Sequence, residues 1–178
     1  VNYILGKREV KESFYVQQAI VSAISSLVHS NIGSLILSSF HEIIDILLEW
    51  VKFQKGSEDR ALGFDTISKI IERVDSSMLK AYVGKIYSAI FEIVINFDQE
   101  FPSYILKPLR LLLNKFGKSI EEFVDLMNLV ETLLSKGLNS EMIQFLRELA
   151  EMKFDNISRS ILYRLLYTIS LTLECNIK

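Results

Sequence analysis

The sequence is short of several things that common protein classes need. It holds one cysteine, Cys175, among 178 residues, so an intrachain disulfide framework is excluded, and this usage suits a reducing compartment. Two prolines and seven glycines are too few for the many tight turns of a β-sandwich or barrel. With two histidines, His29 and His41, the chain is poorly provisioned for catalysis or metal binding. No stretch reaches the roughly eighteen uninterrupted apolar residues of a membrane span. The best candidate, 161–173, is shorter and is broken by Arg164. A signal peptide is not expected either, because Lys7 and Arg8 follow the apolar Tyr3-Ile4-Leu5 instead of preceding it.

What is present points to a folded chain. Apolar residues make up 49% and charged residues 24%, with a net charge of −2, which excludes disorder. The length fits one domain able to bury about 70% of its unfolded surface, here 12–178 behind a stub of residues 1–11. A mean hydropathy of +0.26 is high for a small soluble domain and points to apolar surface that meets something. The chain begins with Val1 and not methionine, and Lys178 closes hard against an apolar helical pattern, so two readings stand: an end cut from something longer, or an unusual start. The expected location is intracellular and cytoplasmic.

Apolar residues recur at three and four almost everywhere, which predicts helices. The first spans about 12–29, with Phe14, Ala19, Ile20, Ala23, Ile24, Leu27 and Val28 inward. A second, 34–54, carries Leu35, Phe40, Ile43, Ile44, Leu47, Leu48 and Val51, and stops at Lys55-Gly56. The third covers 58–74 with Ser57 as its cap, and the fourth, 77–97, is apolar around most of its circumference. Phe101-Pro102 opens the fifth, in which Pro108 either kinks the helix or moves its start later. Ser119 and Glu122 form a capping box before the sixth, which runs to about 136. Helices at 140–152 and 156–175 complete a set of eight in short-looped antiparallel pairs.

The spacing of odd and even members, about 38 to 46 residues, suggests an internal repeat. A shift of 43 carries Ile43, Ile44, Leu47, Leu48 and Val51 onto Ile86, Tyr87, Ile90, Phe91 and Val94, and a second shift carries the first four onto Leu129, Val130, Leu133 and Leu134. A shift of 42 takes Ile67, Ile70, Ile71 and Val74 onto Leu109, Leu112, Leu113 and Phe116. Over 12–176 this pattern resembles the HEAT and armadillo-type α-solenoid families. Asp75 with Lys80 matches the HEAT habit of an aspartate in the turn and a basic residue early in the next helix, whereas the turns at 31–33 and 117–119 depart from it. The resemblance implies an all-α, right-handed stack of four helix pairs acting as a protein-binding scaffold. A closed helical bundle, as a regulatory or assembly subunit, is the alternative architecture.

Chemical motifs are scarce. His41-Glu42 opens His-Glu-Ile-Ile-Asp and lacks the second histidine of a zinc-binding H-E-x-x-H. The glycines are isolated, so no phosphate-binding loop is formed. Cys175 has no histidine near it in sequence to activate it. No catalytic residue, metal or cofactor is expected, and the chain reads as a non-enzyme. Tyr163 and Tyr167 are expected in the core, with a terminal interface as the other reading.

The candidate partner-binding residues lie on the even helices. Glu42, Asp45 and Glu49 share a face, and the 43-residue shift maps them to Lys85, Ser88 and Glu92, then to Asn128, Glu131 and Ser135. In a solenoid these stripes would line one acidic groove, suited to a basic or amphipathic protein segment. The rival surface is the stripe Lys107, Arg110, Asn114 and Lys118, which would serve a helical-repeat nucleic-acid-binding protein or enzyme. Nucleic acid is nonetheless not expected as partner, since only this helix is locally basic, nor is a membrane. Self-association through the terminal helices is expected from their apolar residues, Ile20, Ile24 and Leu27 in helix one and Ile161 to Leu173 in helix eight.

Overall fold

The computed structural model describes residues 14–30, 37–54, 56–96, 103–116, 120–135 and 139–151, together with positions 163, 166, 167, 169–171 and 174. The fold is all-α, and no strand occurs among the described residues. Helices α1 (Phe14–His29), α2 (Phe40–Phe53), α3 (Ser57–Arg73), α4 (Ser76–Asn96), α5 (Leu106–Phe116), α6 (Ile120–Ser135) and α7 (Ser140–Glu151) follow in order, and the positions described between 163 and 174 are also helical. None of these helices is long and apolar enough to cross a membrane. The chain forms two compact units, Val1–Ala81 and Tyr82–Lys178, with the boundary inside α4.

In the first unit α1, α2 and α3 pack on one another, and α3 is the common partner. The buried face of α2 follows its apolar spacing: Phe40, Ile43, Ile44, Leu47, Leu48, Trp50 and Val51. Gly63 lets α3 approach this face, since an added Cβ would overlap the Val51 methyl and come within 3.2 Å of the Trp50 ring. Trp50 donates its indole N–H to the Asp59 carbonyl, 3.1 Å away. The end of α1 is tied to α3 by Arg73, whose guanidinium donates to the carbonyls of Val28 and Ser30. His29 sits beside this tie. Its ring nitrogens face the Ser25 carbonyl at 2.8 Å and the Asp65 carboxylate at 3.1 Å, an arrangement suited to a basic residue in a last helical turn.

In the second unit α5 packs against α6 and α7. Leu109, Leu112, Leu113 and Phe116 of α5 are buried, as are Leu129, Val130, Leu133 and Leu134 of α6 and Met142 and Phe145 of α7. Asn139 caps α7: its side-chain oxygen accepts the Met142 N–H at 2.8 Å.

Several expectations change. Of the two outcomes expected for Pro108 the later start is found: a short 3₁₀ turn, Ser103–Ile105, precedes α5, which begins at Leu106 and leaves Pro108 in its first turn, where its missing N–H has no intrahelical acceptor. Ser57 is the first residue of α3 and not its cap; Gly56 holds the cap position without a side-chain bond, and Glu58 and Asp59 complement the dipole. The buried face of α1 is Val21, Ile24, Ser25 and Val28, with Ile20 and Leu27 half-buried and Phe14 exposed, so Ile24 belongs to the core and not to an end surface. Of the residues matched by the repeat shifts, Phe91 differs from the rest in being exposed. Ser119 of the expected capping box and Leu165 of the eighth helix lie outside the described residues, and Ile169 is half-buried.

Candidate functional site

The burial of one α2 face decides what the opposite face carries. Glu42 and Glu49 are exposed and Asp45 half-buried, in the pattern left when residues at three and four turn inward. Phe53, one turn beyond Glu49, is 80% exposed. At about 100° per residue, positions 42, 49 and 53 fall within about 40° of one another on the helix. The surface is therefore an acidic stripe that ends in an aromatic side chain. The register of α2 placed Phe53 on the polar side, and this signal was available in the sequence.

The remaining residues of the acidic set belong to the second unit. Lys85 and Glu92 are exposed on one face of α4, and Glu131 is half-buried on α6. The Lys85 ammonium lies 4.7 Å from the centre of the Tyr82 ring, a cation–π contact one turn along its own helix. The structure thus brings Glu42, Asp45 and Glu49 together on α2, and Lys85 with Glu92 on α4.

The basic stripe on α5 is more compensated than its sequence suggests. Lys107 and Asn114 are exposed, while Lys118 lies outside the described residues. The Arg110 Nε stands 2.6 Å from a carboxylate oxygen of Glu148 on α7. The oxygen is off the N–H axis, so Nε gains an ion pair without an aligned hydrogen bond. The guanidinium also lies 6.0 Å over the Phe145 ring. Beside this pair an open cleft of about 380 Å³ takes Lys107 and Arg110 on one side and Ser140, Glu141 and Gln144 on the other. Two carboxylates, Glu141 and Glu148, thereby face the two cations of the stripe. A phosphate backbone would have to displace them.

Large apolar side chains reach the surface in other places. Phe14, Tyr15 and Val16 open α1 exposed, and Phe14 stacks on Trp50 with ring centres 5.8 Å apart. Tyr163 and Tyr167 are 71% and 64% exposed, which overturns their expected place in the core. Their neighbours explain the reversal: Ser170 and Glu174 lie on the same helix face and mark it as the water side. Among the described residues no three His, Cys, Asp or Glu side chains are gathered to hold a metal ion. Cys175 lies outside the described residues, and His41 is exposed with its ring 5.1 Å from that of Phe40. Comparison with protein-family models, with curated proteins and with solved structures found no match.

Proposed function

We propose that this chain is a non-enzymatic, cytoplasmic protein-binding scaffold built from stacked helix pairs of the HEAT or armadillo kind. The observation that carries the reading is the outer face of α2, where Glu42, Asp45 and Glu49 lead to the exposed Phe53. Carboxylates in a row attract a Lys/Arg-bearing segment from a distance, and an exposed aromatic anchors an apolar residue of the same segment on arrival. Lys85, Glu92 and Glu131 would extend this groove if the pairs stack in repeat order. Nucleic acid is disfavoured as the partner, because Arg110 is already paired with Glu148 and Glu141 lines the same cleft.

The test is a triple reversal, Glu42→Lys, Asp45→Lys and Glu49→Lys, measured against the partner captured from the native source. Association at about 20 mM salt should slow at least tenfold, with the difference shrinking as salt rises, while helicity by circular dichroism stays unchanged. Unaltered association would move the site away from α2, first to the Lys107–Lys118 stripe. Small-angle scattering tests the architecture: stacked pairs give an elongated particle, a closed bundle a near-spherical one.

A further inference from the structure

The open cleft between α5 and α7 has the dimensions of a small-molecule site. Its volume of about 380 Å³ lies within the roughly 300–1,000 Å³ of ligand pockets. The first turns of both helices line it, through Leu106 and Lys107 of α5 and Ser140 and Glu141 of α7. Leu106 is buried and Tyr104 half-buried, so part of the lining is apolar.

The polar groups of the cleft are divided between its two walls. Arg110 is matched by Glu148, whose carboxylate lies 2.6 Å from Nε, and its guanidinium is held over the Phe145 ring. With that pair balanced, each wall carries one formal charge, Lys107 on the α5 side and Glu141 on the α7 side. Hydrogen-bonding groups follow the same division. The Lys107 ammonium only donates, whereas Glu141 only accepts when ionised. Gln144, also on the α7 side, commits its amide nitrogen to Glu148 at 3.1 Å, so its carbonyl oxygen is the group it can turn to a bound donor. A phosphate or a lone carboxylate entering the cleft would meet Glu141, and a lone cation would meet Lys107. A ligand that bears both signs suits both walls.

We propose that this cleft binds a small zwitterion of the α-amino acid type. The carboxylate faces Lys107, the ammonium faces Glu141 and the Gln144 carbonyl, and an apolar side chain rests against Leu106 and Tyr104. The carboxylate is the better held end, because the N-terminal turns of α5 and α7 both line the cleft and carry partial positive charge. Arg110 adds to that field from a side chain already fixed by Glu148, so little ordering is needed on binding. The site lies outside α2 and goes beyond the scaffold reading.

Titration of the full chain with L-leucine or L-phenylalanine, followed by the amide NMR spectrum up to about 20 mM ligand, tests the proposal. The expected result is saturable shifts at amides of 103–110 and 139–144. N-acetyl-L-leucine keeps the carboxylate without the ammonium, and L-leucinamide the reverse. Each should bind at least tenfold more weakly than leucine, leucinamide the weakest of the three. Lys107 and Glu141 are exposed, so replacing them should leave helicity unchanged. Glu141→Gln should reduce leucine binding to the level of N-acetyl-leucine, and Lys107→Met to the level of leucinamide. Failure of both amino acids to saturate overturns the site. Binding of N-acetyl-leucine or inorganic phosphate as tight as that of leucine makes the cleft an anion site and overturns the zwitterion. Leucine binding indifferent to both substitutions overturns its placement here. None of these variants alters α2, so the outcome is separate from that of the triple reversal.

Discussion

Gly63 shows how a single missing side chain sets the distance between two helices. It is buried in α3 against Val51 and the Trp50 ring, and no methyl fits there unless one of them moves. Alanine favours a helix interior over glycine by about 1 kcal/mol, but an overpacked contact typically costs about 1–3 kcal/mol. Gly63→Ala should therefore be net destabilising by urea unfolding, by up to about 2 kcal/mol on those figures. Gly84 in α4 supplies the contrast. It is exposed, and an added Cβ meets nothing within 4 Å, so Gly84→Ala should stabilise by about 0.5–1 kcal/mol in the same experiment. Neither outcome is readable from the sequence, where both are isolated glycines in helical stretches. The difference arises only when α2 comes to lie against one of them.

At the scale of elements, a helix is legible in the sequence when both of its faces are marked. On α2 the acidic residues fix the outside and leave no freedom in the inside, so Ile43, Ile44, Leu47 and Val51 are all buried where their spacing puts them. The segment Phe14–His29 contains no Asp, Glu, Lys or Arg, so its apolar residues run nearly all the way round. Periodicity there finds the buried Ile24 and Val28 but misses Val21 and Ser25, and it counts the exposed Phe14 and Ala19 as inward. The acidic stripe was readable for the same reason as the α2 core. The pairing of Arg110 with Glu148 was not, because it joins residues 38 positions apart through the packing of α5 on α7. The buried positions Ile90 on α4 and Leu133 on α6 are both 0% exposed. Each replaced by alanine should lose about 2–5 kcal/mol of stability, and a loss below about 0.5 kcal/mol at both would show that these faces are not packed as described.

At the scale of the molecule, the two compact units meet within one helix. The boundary between Ala81 and Tyr82 falls inside α4, whose backbone runs helical from Ser76 to Asn96. A continuous helix passes local opening along its own hydrogen bonds, so the units should not unfold independently while α4 is intact. Native-state hydrogen exchange can read this directly. Gly63→Ala, which acts on the first unit, should lower protection in α1–α3 and also in the α4 amides beyond Tyr82. Ala81 is exposed, so Ala81→Pro removes no core contact. It does break a backbone hydrogen bond and clash with the preceding turn, at a cost of about 3 kcal/mol. In that background the effect of Gly63→Ala should stop at residue 81. If Gly63→Ala leaves 82–96 fully protected in the otherwise unaltered chain, the helix does not couple the units and each folds on its own core.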